Sequence, residues 1–181
     1  MAKKDNTVEK QVTERPVKKP APRKRVTIDR NLQVLFMNNN DGGFFYRCPK
    51  THNIYDMREY GDVDYITIDE LVTMRNAHRR ILNELWILLI DVDSDEVSIE
   101  DVWKYLGLEH LYNDVVKPTE IDEFILRSRD DKFKANLNKM HEVLAKKVVE
   151  RAVVLYKQGK LNSIRKINAI KDFTGKEDLF D

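Results

Sequence analysis

The sequence predicts an α+β fold in which a small β-hairpin or sheet unit with helices precedes a helical C-terminal third containing one long amphipathic helix. Strand-like runs bounded by turn residues occupy the part before residue 67, helix-start signals occur at Thr67 and Ser98, and an apolar stripe with helical spacing covers about 131–158. At 181 residues the chain fits one domain of ordinary size, and its 41% of hydrophobic residues suffice for a core.

Short apolar runs predict the strands of the β unit. Residues 32–37 form the first, and the Asn, Asp and Gly residues at 38–43 tolerate the backbone conformations of a turn. We expect residues 44–48 to return as the hairpin partner of this first strand. Residues 54–57 are a further candidate, and the alternation at 63–66 predicts a half-buried strand.

A capping box and a continuous apolar run predict the next two elements. Thr67 and Glu70 have the spacing of a capping box, so a helix is expected over about 68–83. Residues 85–90 are apolar without alternation, which predicts a strand buried on both faces and central in its sheet.

The remaining elements are predicted to be helical. A short helix begins after Ser98 and ends at Gly107, and another covers about 121–128. Helical spacing of apolar residues then predicts one long helix over 131–158, and a shorter one follows before Gly175.

Charge and the predicted elements together divide the chain into three parts. Residues 1–30 hold ten basic and four acidic residues and three of the five prolines, a composition that buries too little surface to fold alone. We expect a basic, proline-containing extended arm at 1–30, an α+β core at 31–128 and a helical region at 129–181. The helical region either continues the core or forms a second unit.

The arm supplies the candidate binding residues, which are Lys18, Lys19, Arg23, Lys24 and Arg25. They lie among prolines that favour an extended backbone. Such a segment either docks on an acidic protein surface, binds phosphates of a nucleic acid or stays solvated. It has no aromatic residue to stack on the bases of a single strand.

Two patterns resemble metal sites without completing them. Cys48 and His52 have the spacing of half a zinc site, but the chain has no second cysteine. A catalytic Cys–His pair would also need an orienting third group. Asp91, Asp93 and Asp95 resemble the start of a calcium loop, but Gly and the closing Glu are missing at the sixth and twelfth positions. We therefore expect no metal and no cofactor.

Other features argue against an enzyme and against a membrane protein. The six glycines are scattered and form no phosphate-binding loop. The carboxylates Glu59, Asp62 and Asp64 are close in sequence, but they are more consistent with a solvated surface than with acid–base catalysis. No apolar run approaches the roughly 20 residues that cross a bilayer.

A second basic surface is predicted opposite the apolar stripe of the helix over 131–158, and it comprises Lys134, Lys139, Lys146, Lys147 and Arg151. A solvated helix face is the simplest interpretation. A helix of this length in a small protein also commonly packs on another helix, from its own chain or a neighbouring copy.

One stretch of the sequence resembles a known group of proteins. The residues 59–67, 70–76, Arg79 and Arg80, Trp86, 102–108 and Leu111 with Tyr112 are similar to those of small virion structural proteins of tailed bacteriophages. The resemblance covers about residues 32–180. It implies a role in particles and no reaction.

These observations together predict a non-enzymatic structural protein of a phage particle, located in the virion as a capsid, neck or tail component. Its expected partners are other virion proteins and copies of itself, with the arm docking on neighbouring subunits. The alternative is a DNA-binding accessory or regulatory protein that uses the arm and the basic face of the helix over 131–158.

Overall fold

A computed structural model of the protein describes residues 28–181 and confirms the α+β class. The strands are β1 (Gln33–Asn38), β2 (Phe44–Arg47), β3 (Ile54–Met57), β4 (Val63–Thr67) and β5 (Ile87–Val92). The helices are α1 (Ile68–Ala77), α2 (Arg79–Asn83), α3 (Ile99–Leu106), α4 (Glu109–Tyr112), α5 (Ile121–Arg127), α6 (Asp130–Leu137), α7 (Glu142–Lys157) and α8 (Ile164–Thr174). A short 3-10 helix, Pro118–Glu120, precedes α5.

The strands form two antiparallel sheets, and this corrects the predicted pairing of the first hairpin. β1 lies between β4 and β5, whereas β2 pairs with β3. Two buried asparagines redirect the chain after β1. The Asn38 amide donates to the carbonyls of Gly42 and Glu59, and the Asn39 amide donates to that of Leu85. These bonds hold the end of β1 against β4 and β5, so residues 44–47 pair elsewhere.

β5 is an edge strand, whereas the sequence predicted a central one. The indole Nε1 of Trp103 donates to the carbonyl of Leu89 at 3.2 Å, and the N–H of Leu89 donates to the hydroxyl of Tyr112 at 2.8 Å. The two aromatic rings stack at 4.3 Å between centroids. Side chains from α3 and α4 therefore cover the outer edge of β5, which explains its continuous apolar sequence.

Two predicted helices are each divided. The helix over 68–83 breaks at His78, whose N–H caps α1 by donating to the carbonyl of Met74. The helix over 131–158 is interrupted at 138–141 between α6 and α7. There the N–H of His141 donates to Asp114, and the His141 ring accepts from Val143 and caps α7. The apolar spacing of Leu137, Met140 and Leu144 continues across the break and hides it from the sequence.

The hairpin of β2 and β3 packs on one face of the three-stranded sheet. The ring of Phe36 contacts Phe44 and Tyr55 with centroids at 6.5 and 5.5 Å. Buried residues of the sheets and of the C-terminal helices form one continuous cluster. The helical region thus shares its apolar interior with the sheet.

Candidate interaction surface

The five predicted binding residues of the arm, Lys18, Lys19, Arg23, Lys24 and Arg25, lie outside the described residues. The sites at which an arm could bind must therefore be sought on the surface of residues 28–181. The other residues that the sequence singled out all lie within this part.

Cys48 and His52 shape the turn between β2 and β3. The thiol is fully buried, the N–H of Cys48 donates to the carbonyl of Asn53, and the N–H of His52 donates to the carbonyl of Cys48. Burial raises the pKa of the Cys48 thiol, but hydrogen bonds from the side chain and backbone of Thr51 and the backbone of Lys50 lower it overall. Within residues 28–181, no three His, Cys, Asp or Glu side chains are grouped to hold a metal ion.

The neighbouring carboxylates at the start of β4 bind backbone groups. Asp62 accepts from the N–H groups of Arg58 and Glu59, both at 2.9 Å, and Asp64 accepts from the N–H of Tyr65 at 2.7 Å. These contacts fix the loop that leads into β4. Asp62 and Asp64 therefore have a structural role in this loop.

The capping box at α1 is confirmed, and its glutamate also joins the helix to the hairpin. Glu70 is buried and accepts from Thr67, from the Tyr55 hydroxyl at 2.6 Å and from the Asn53 amide at 2.9 Å. Thr51 donates to it as well. Burial raises the pKa of Glu70, but these hydrogen bonds outweigh burial and lower it overall.

The predicted basic face on residues 131–158 is largely engaged with this chain's own residues. Lys134 pairs with Asp172, and Lys147 pairs with Glu150 and donates to Asn40. The remaining two lysines, Lys139 and Lys146, are exposed.

Arg151 joins the helical region to the sheet region. It forms two hydrogen bonds with Asp122, at 2.7 and 2.8 Å, and its guanidinium lies 3.5 Å from the ring centroid of Tyr60. Burial and the Asp122 charge raise the pKa of Tyr60 to about 12. Tyr60 and Arg151 also line a groove of about 820 Å³, whose apolar side chains come mainly from α7, with Phe173 at the end of α8 and Leu179 after it.

The side of the three-stranded sheet turned away from the hairpin is only partly covered. The register places Tyr65, Leu35 and Asp91 in one cross-strand row and Val63, Met37 and Leu88 in the next. Leu88 is fully buried, whereas Tyr65 and Val63 are each 55% exposed. We call the side chains of Leu35, Met37, Val63, Tyr65 and Asp91 the open face.

The outer edge of β4 borders the open face. β4 pairs with β1 on one side, and in residues 28–181 no strand pairs with its other side. The alternation of the ladder turns the backbone groups of Val63 and Tyr65 outward, and the Tyr65 N–H is bound locally by Asp64. Unpaired backbone groups and exposed apolar side chains thus lie together.

An acidic loop completes this surface at the end of β5. Leu35, Tyr65 and the residues 91–95 line a shallow depression of about 440 Å³. Asp91, Asp93 and Asp95 are exposed, and none of them forms an ion pair within residues 28–181. Sequence reasoning found these aspartates through their calcium-loop spacing, but it missed Tyr65 and Leu35, because strand pairing brings them together.

No described helix combines the length and apolar character that a membrane crossing requires. Comparisons of the chain with family models, with curated proteins and with solved structures find no match.

Proposed function

We propose that the chain is a non-enzymatic structural protein of a tailed-phage particle, which assembles with other virion proteins and with copies of itself. The open face and the free edge of β4 form its docking surface, and the basic arm contacts neighbouring subunits. The observation that carries this proposal is the contrast between the two edges of the three-stranded sheet.

The two edges of the three-stranded sheet differ in how they are covered. Trp103 and Tyr112 bind the outward carbonyl and N–H of Leu89 in the middle of β5, whereas β4 presents Val63 and Tyr65 to solvent. Proteins usually protect sheet edges, because an unpaired edge invites association with another chain. An edge left open beside exposed apolar side chains therefore supports a role in binding other proteins.

The polar residues of the types that catalysis commonly uses also have structural contacts. Cys48 and Asp62 organise turns, and Glu70 connects a helix to the hairpin. Each is engaged by neighbouring backbone or side-chain groups of the fold.

The assignment to a phage particle rests on the resemblance of residues 59–67, 70–76 and 102–108 to virion structural proteins. Several residues of the resembling segments make contacts that connect parts of the fold. Tyr60 stacks on Arg151, Glu70 binds the hairpin, and Tyr112 covers the edge of β5. The resemblance therefore includes Tyr112, which covers part of the edge of β5.

The proposal is tested by neutralising the arm in the infecting phage. We expect glutamine at positions 18, 19, 23, 24 and 25 to leave the protein soluble and folded but to reduce its incorporation into particles severalfold. A matched control replaces five exposed basic residues of the body, Lys104, Lys117, Lys132, Lys160 and Arg165, and should be incorporated normally. Equal incorporation of both variants would contradict the role of the arm.

A further inference from the structure

We propose that a depression between the end of α1, α2 and the turn from α3 to α4 binds a phosphate group. The depression has a volume of about 570 Å³, and none of the residues that line it belongs to the open face. A phosphate site here goes beyond the proposed function, which concerns a different surface.

Residues of α1, α2 and α4 line most of the depression. Arg75 and Asn76 lie in the last turn of α1, Arg79 and Asn83 lie on α2, and His110 lies on α4. The end of α3 completes the rim. The lining thus contains two guanidinium groups, an imidazole and two carboxamides, and it contains no carboxylate.

Arg75 is half-buried and has no carboxylate partner within residues 28–181. Its Nη1 donates to the carbonyl of Tyr105 at 3.2 Å, which ties α1 to the last turn of α3. The other half-buried arginine of this part of the chain, Arg151, is paired with Asp122. A guanidinium that is partly removed from water is stabilised by an opposite charge beside it, so Arg75 favours an anion in the depression.

The neighbouring side chains have donors available for such an anion. Those of Asn76, Arg79, Asn83 and His110 form no hydrogen bond or ion pair with another residue of 28–181. Asn83 is half-buried, so its amide loses part of its hydration without gaining a partner in the described chain. A bound anion would satisfy these donors together.

A phosphate group matches this set of donors. Its oxygens accept paired hydrogen bonds from a guanidinium, and they also accept from amide and imidazole N–H groups. Phosphate oxygens point in tetrahedral directions, whereas those of a carboxylate lie in one plane, so donors from three helices favour phosphate. Such a group belongs either to a small phosphorylated ligand, including inorganic phosphate, or to the backbone of DNA.

Titration of the full, ¹⁵N-labelled chain with sodium phosphate at constant ionic strength tests the site by NMR. We expect saturable shifts of the side-chain amide signals of Asn76 and Asn83 and of the backbone signal of Gly107. Shifts that do not saturate, or that spread evenly over the surface of the protein, would overturn the proposal.

Arg79→Gln is the informative variant, because Arg79 is exposed and its side chain has no partner within residues 28–181 whose loss would destabilise the fold. Phosphate binding should weaken about tenfold or more, as for the loss of a charged hydrogen-bond donor. Arg58→Gln removes an exposed arginine elsewhere and should bind phosphate as the wild-type protein does. Equal weakening in both variants would mean that phosphate responds only to the overall charge, and would overturn the proposal.

A short DNA duplex distinguishes the two sources of the phosphate group. If the group belongs to DNA, Arg79→Gln weakens binding of the duplex as well, and inorganic phosphate competes with the duplex. If Arg79→Gln and the wild-type protein bind the duplex equally while their phosphate affinities differ, the site takes a small phosphorylated ligand. Absence of phosphate binding to the wild-type protein would overturn the proposal and leave the proposed structural role unaffected.

Discussion

At the scale of single residues, Glu70 shows how one carboxylate connects two parts of the fold. Its spacing from Thr67 predicted the capping box, and the structure confirms it. The sequence could not predict the contacts with Thr51, Asn53 and Tyr55, because these residues lie 15 to 19 positions away and reach Glu70 only when the hairpin packs on the helix.

Glu70→Gln should lower the free energy of unfolding by about 2 kcal/mol, because an amide nitrogen would then face donors that now bind a carboxylate. Urea denaturation measures the change. Glu100→Gln, at an exposed position in the first turn of α3, is the control and should change stability by less than about 0.5 kcal/mol. Equal effects of the two substitutions would contradict the structural role of Glu70.

The stabilities of the wild-type protein and the Glu70→Gln variant should depend differently on pH. Hydrogen bonds lower the pKa of Glu70 below its usual 4.5. Its ionised form therefore contributes stability above pH 4.5, and this contribution is lost as the pH falls through the folded-state pKa. The stability difference between the wild-type protein and Glu70→Gln should shrink on acidification. A difference that stayed constant would show that ionisation of Glu70 contributes nothing.

At the scale of elements, the positions of the strands and of most helices in the sequence were predictable, but which elements lie beside one another in the fold was not. The alternation at 63–66 and the apolar run at 85–90 predicted β4 and β5 nearly in place. The same apolar run was wrongly placed at the centre of the sheet. A strand covered along its edge by Trp103 and Tyr112 has the same composition as a strand between two others, so composition alone cannot distinguish them.

Removing the hydroxyl that covers β5 should destabilise the protein. Tyr112→Phe leaves the N–H of Leu89 buried without its partner, and the expected loss is about 1–3 kcal/mol in urea denaturation. Tyr65→Phe, which removes a hydroxyl from an exposed ring, should change stability little. A Tyr112→Phe protein as stable as the wild type would mean that the bond to Leu89 does not protect this edge.

At the scale of the whole molecule, one buried cluster joins the sheets to the C-terminal helices. Apolar spacing predicted buried faces for these helices, but it did not show which surface they would cover. The contact of Arg151 with Asp122 and Tyr60 joins residues 29 to 91 positions apart in the chain, so it had no local signal. The opposite charges of the arm and the body, by contrast, were visible in the sequence.

The continuous cluster predicts one cooperative unfolding transition. Trp86 and Trp103 report on the sheet region by fluorescence, whereas far-ultraviolet circular dichroism reports mainly on the helices. The two signals should give the same midpoint in urea. Two separated midpoints would show that the C-terminal helices unfold as an independent unit.

The proposed role in a particle is best tested by the protein's copy number in purified particles of a phage whose genome is found to encode this chain. Quantitative mass spectrometry compares the amount of this chain with that of the major capsid protein. We expect a fixed stoichiometric ratio, as for a component placed by the symmetry of the particle. Absence from particles despite abundance in infected cells would contradict the structural role and would favour the DNA-binding alternative.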